Sequence, residues 1–79
     1  MNQKHGIHRF WTEPIEVNCK AGNTTLRLYR ETENRVTVAA EVVFWDAVGQ
    51  YYLETLNGDL PLEIIEELII EAKNVITHK

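Results

Sequence analysis

The chain is predicted to be an α+β domain. Its sheet is a four-stranded antiparallel meander, with room for a short extra N-terminal strand, and one C-terminal helix packs on one sheet face. Three observations carry this. Apolar and polar residues alternate through most of residues 15–56, the period of a half-buried strand. Short polar or glycine-bearing stretches interrupt that alternation at regular intervals, as hairpin turns do. After Asn57-Gly58 the apolar spacing changes to three and four residues, the period of a helix lying on a core.

Taken in order, Met1 to Gly6 is polar and ends in glycine, which reads as a loose start. Ile7 to Thr12 holds Phe10 and Trp11. It reads either as a short strand or as an arm that lays two aromatics on the core or over the sheet. From Pro14, Ile15, Val17 and Cys19 alternate with Glu16, Asn18 and Lys20. Pro14 suits a strand's first position, where a missing N–H matters least. Ala21-Gly22-Asn23 reads as a turn, with glycine or asparagine able to take a positive φ.

Thr24 to Glu31 is the second strand, with Leu26 and Leu28 on one face and Thr25, Arg27 and Tyr29 on the other. Thr32-Glu33-Asn34 suits a hairpin loop. Arg35 to Trp45 is the clearest strand. Val36, Val38, Ala40, Val42 and Phe44 fall on one face, and Arg35, Thr37, Ala39, Glu41, Val43 and Trp45 on the other. The first set is expected to be the core. Asp46 to Gly49 turns the chain into Gln50 to Leu56, where Tyr51 and Leu53 oppose Tyr52 and Glu54.

The helix is expected over residues 59–77, with Asp59 as N-cap and Pro61 in the first turn. Ile64, Ile65, Leu68, Ile69, Ala72, Val75 and Ile76 form its apolar stripe. Glu63, Glu66, Glu67 and Glu71 line the outer side and read as a solvated face.

Composition limits the function classes. Seventy-nine residues make one small domain. Hydrophobic residues at 44% and a net charge of −4 are incompatible with a disordered acidic tail. No apolar run reaches the roughly 18 residues of a membrane span. The start lacks a charged-then-apolar leader, and the single Cys19 allows no internal disulfide framework. A cytoplasmic location is therefore expected. Residues 1–45 carry six basic and five acidic side chains, and residues 46–79 two and seven. No basic stripe is left to meet phosphates, so a nucleic-acid partner is disfavoured.

Single residues give little chemistry. His5 and His8 have a spacing two metal ligands can use, with Glu13 or His78 as further candidates, but a full ligand set is missing. Cys19 lacks an evident base or cation and reads as a small buried hydrophobe. Glu41, Asp46 and Glu54 could gather carboxylates for acid–base work, while Arg27 and Arg35 stand ready to pair with them. No catalytic residue, metal or cofactor is assigned, and the reading favours a protein that is not an enzyme.

The face opposite the helix is the candidate site. It is expected to carry Thr25, Arg27, Tyr29, Thr37, Glu41, Val43, Trp45, Tyr52 and Glu54. Aromatic and arginine side chains are common interface anchors, so Arg27, Tyr29, Trp45 and Tyr52 are the expected binding residues. The expected function is a small intracellular protein-binding or adaptor domain, engaging a protein partner or a second copy of itself as a homodimer. The alternative is a small-ligand-binding protein or enzyme that uses Glu41 or Glu54 beside that face.

Gly49-Gln50-Tyr51-Tyr52 and the helical run Glu66 to Ile76 also bear a local likeness. The stretch Val36 to Ile76, about half of the chain, resembles the small HicB-type antitoxin domains, without their loop before the helix. The resemblance implies a protein-binding role and assigns no functional residue.

Overall fold

The structure is a computed structural model describing residues 1–18, 23–45 and 47–76, with side chains described except at 16–18, 23 and 24. Five strands and one helix follow in order: β1 (Asn2–His5), β2 (His8–Asn18), β3 (Asn23–Thr32), β4 (Arg35–Trp45), β5 (Gln50–Thr55) and α1 (Leu62–Val75). The strands form one antiparallel meander in chain order, β1 to β5. The positive φ angles that tight reversals demand fall at Gly6, at Glu33 and Asn34, and at Gly49. The expected turn at Ala21-Gly22 and the position of Cys19 lie outside the described residues, as do Asp46 and His78.

The N-terminal end differs from the expectation. Residues 2–5 form β1, rather than a loose start, and pair with Arg9, Phe10 and their neighbours on β2. The two segments expected around residues 7–12 and 14–19 are one continuous strand, with Pro14 in its middle. Thr12 N–H donates to the Met1 carbonyl at 3.2 Å. Alternation along the strand turns the Pro14 nitrogen to that same side, beyond the start of β1, so no ladder bond is lost there.

The core lies between α1 and one sheet face. It comprises Phe10, Leu26, Leu28, Ala39, Ala40, Val42 and Phe44 from the sheet, with Ile64, Leu68, Ala72 and Ile76 from the helical segment. The helical four step at four-residue intervals, one line along the helix. That line is narrower than the expected stripe: Ile69 and Val75 are exposed and Ile65 is half-buried.

On β4 a bulge divides the expected core face. Leu28 pairs with Ala40, but Tyr29 pairs with Val38, which leaves Ala39 as an extra residue. An extra residue reverses the side-chain parity beyond it. Ala40, Val42 and Phe44 therefore face the helix, while Val38 joins Tyr29 on the opposite face. Val36, expected in the core, is 52% exposed, and Ala39, expected outside, is buried. Thr37 pairs with Arg30, which moves it to the helix side.

The helix start also departs from the expectation. Pro61 is the N-cap, with no side-chain cap bond, and its carbonyl accepts from Ile64 N–H at 3.1 Å and Ile65 N–H at 3.2 Å. Asp59 lies outside the helix. The entry loop is held by Arg30, whose guanidinium donates to the carbonyls of Asn57 and Asp59. Asn57 in turn donates from Nδ2 to the Val38 carbonyl at 2.8 Å. At the far end, Tyr51 donates its hydroxyl to the Ile76 carbonyl at 3.0 Å.

Candidate functional site

Antiparallel register decides which side chains share a face, because directly paired residues point the same way. On the helix-free face this gives parallel rows across the strands. Trp11, Tyr29 and Val38 make one row; Glu13, Arg27, Glu41 and Glu54 make the next; Ile15, Thr25, Val43 and Tyr52 follow. Trp45 stands beyond them, opposite Gln50.

The four expected site residues, Arg27, Tyr29, Trp45 and Tyr52, thus lie on the same face, but as two aromatic patches. Tyr29 stacks on Trp11 with ring centroids 5.6 Å apart and planes 18° apart. Arg9 covers the outer side of that stack, 4.7 Å from the Trp11 ring, and reaches Glu31 at 3.5 Å. At the other end Trp45 meets Tyr52 edge to face, 6.0 Å apart at 74°. Trp45 is 54% exposed and Tyr52 47%, so this second patch presents the more open aromatic surface.

The ionic row lies between the patches. Arg27 Nε donates to Glu41 Oε2 at 2.6 Å. Hydrogen bonding to the Tyr29 hydroxyl, and then to Glu41, pushes the Arg27 pKa above its ordinary value. Arg27 is therefore a spacer held between Tyr29 and Glu41, rather than a loose polar anchor. Glu54 sits across from Glu41 and makes no ion pair among the described residues. Thr25 is closed over by its neighbours and buried.

Trp11 and Ile15 also belong to this face, both as residues of β2. From the sequence Trp11 reads as part of a short strand or of an arm laid on the core or over the sheet, and Ile15 as sharing the apolar, buried side with Cys19; the register instead puts Ile15 beside Thr25 on the helix-free face. The available signal was the odd-numbered spacing from Trp11 through Glu13 to Ile15, which puts all three on one side once residues 8–18 are one strand.

The two described histidines have structural partners. His5 and His8 are cross-strand neighbours on β1 and β2. His5 Nε2 lies 3.1 Å from Gln3 Oε1, His8 Nδ1 lies 2.6 Å from Thr32 Oγ1, and both rings flank Phe10. Among the described residues no three histidine, cysteine, aspartate or glutamate side chains gather as a metal-ligand set. The helix acids are not all solvated. Glu71 accepts from the Thr12 hydroxyl at 2.8 Å and pairs with the Met1 ammonium at 3.1 Å, while Glu67 accepts from the Gln3 amide.

No helix of the described residues is long and apolar enough to cross a membrane. Compared with family models, curated proteins and solved structures, the chain matches none. The likeness to HicB-type antitoxin domains therefore rests on the local pattern of residues alone.

Proposed function

We propose that the chain is a small protein-binding domain, working in the cytoplasm, whose contact surface is the helix-free sheet face. One observation carries the reading: Trp45 and Tyr52, two large aromatics about half exposed, sit edge to face on a sheet side that no element of the described residues covers. Large aromatics fixed in place by neighbours lose little entropy on binding and bury much apolar area, which is why they recur at interface hot spots. The Trp11–Tyr29 stack extends the surface across the sheet. The ionic row gives it a polar band that sets the orientation of whatever docks. The acid–base alternative loses support, because Glu41 is held by Arg27 at 2.6 Å, and its neighbour Glu54 is an exposed strand residue that does not line the cleft between β5 and α1.

The test is affinity capture from lysate of the source cell with wild type, Trp45→Ala and Tyr52→Ala in parallel, each checked by circular dichroism. Wild type is expected to retain a specific protein that both folded variants lose by at least about tenfold, the loss of one hot-spot side chain. Retention of the same protein by both folded variants overturns the reading, and so does the absence of any protein specific to wild type.

A further inference from the structure

The two edges of the sheet are unlike. β1 is four residues long and carries Lys4, and its Gln3 is tied to Glu67 of the helix. Short length and lysine are devices that keep an edge from pairing with another chain. β5 has neither lysine nor proline in its six residues, and its pairing to β4 runs without a bulge. Among the described residues no strand lies on its outer side.

The backbone groups on that outer side can be assigned. Leu56 N–H donates to the Ala39 carbonyl at 2.7 Å. Alternation along an antiparallel ladder then turns Glu54 and Tyr52 toward β4 as well, and turns the N–H and C=O of Leu53 and Thr55 outward. Apolar side chains flank this edge on both sides of the sheet. Tyr52 and Trp45 stand above it. Below it Leu53 and Ile69, 40% and 41% exposed, border a cleft of about 230 Å3 between β5 and α1. The closest packing of α1 is on β3 and β4, and the cleft lies between the helix and β5, beyond that contact.

We infer that β5 is a self-pairing edge, and that its occupant is β5 of a second copy of this chain, joined antiparallel about a two-fold axis at Leu53. Outward-directed backbone groups make a template for another strand, which supplies donors and acceptors at the same repeat. The composition of β5 fits itself. Its one charged residue is Glu54. The two-fold register sets Leu53 against Leu53, Tyr51 against Thr55, and Tyr52 against Glu54, so like charges never face each other directly. Below the sheet the two Leu53 side chains meet and close both clefts. A two-fold perpendicular to the sheet keeps both helices on one side of a ten-stranded sheet, and brings the two Trp45–Tyr52 patches together on the other. This inference stands independently of the partner-binding reading.

The test is sedimentation equilibrium on the full chain over a concentration series, combined with amide hydrogen exchange. A dimer that dissociates on dilution is expected, with exchange at Leu53 and Thr55 slowed at high concentration. Thr55→Pro removes an outward N–H without touching a bond to β4, and Leu53→Glu sets two carboxylates against each other. Each is expected to weaken dimerisation at least about tenfold while circular dichroism stays unchanged. If the proline variant fails to fold, Leu53→Glu and the wild-type exchange data still decide. A monomer at the highest concentration overturns the inference. A dimer with unchanged exchange at Leu53 and Thr55 overturns it too, as does a dimer that survives in the folded variants.

Discussion

Two arginines on β3 show how much a single side chain holds here. Arg30 binds the carbonyls of Asn57 and Asp59, so it fixes the loop that feeds the helix. Arg30→Ala is expected to destabilise the domain by about 1–3 kcal/mol, the range for bonds to a charged donor, read as a lower urea midpoint at unchanged slope. Arg27 is the second case. Arg27→Ala leaves Glu41 half-buried without its partner, and a loss of about 1 kcal/mol is expected for a partly exposed pair. Arg27→Lys keeps the charge but not the planar donor geometry and is expected to recover only part of it. Trp45→Ala, by contrast, removes a half-exposed ring that meets one aromatic side chain among the described residues. It is expected to change stability by less than about 1.5 kcal/mol, so the capture experiment compares folded proteins.

At the scale of elements, the line Ile64, Leu68, Ala72 and Ile76 lies against a floor made low by Ala39 and Ala40. Leu68→Ala opens a cavity at the centre of that contact and is expected to cost about 2–5 kcal/mol. Ala40→Leu overfills it, at about 1–3 kcal/mol; thermal unfolding followed by circular dichroism measures both. The sequence showed much of this layer. Arg35 to Trp45 reads as a strand because β-branched and aromatic residues alternate along its whole length, and the observed bounds are the same. The bulge was not legible, because alternation carries no mark of an inserted residue. The one hint was the adjacent pair Ala39-Ala40, which interrupts a run of valines at every second position. The short extra N-terminal strand is present, but at Asn2 to His5 rather than within Ile7 to Thr12, because a polar run carries no alternation to mark it; its place comes from pairing with β2 and from contacts to the helix. The cap was misplaced because Asp59 has the right side chain, while the loop's actual anchor, Arg30, is 29 residues away.

At the scale of the molecule, the side-to-side assignment of Arg27, Tyr29, Trp45 and Tyr52 could be read because those residues lie on strands whose parity is intact between them and the core. Thr37 and Val36 could not be placed correctly, since they lie beyond the bulge. The pairing of Trp11 with Tyr29 needed the register of β2 against β3, which no single strand contains. The meander order has a further consequence for how the chain comes into being. Each strand lies beside its chain neighbour, so on a ribosome the sheet can assemble hairpin by hairpin as it emerges. The lid over Leu26, Leu28, Val42 and Phe44 is made after all five strands. At about 5–20 residues per second, that greasy floor stays bare for on the order of a second after β5 has appeared. Premature release before Ile76 yields a product with its floor open to the solvent, a natural target for chaperones and proteases.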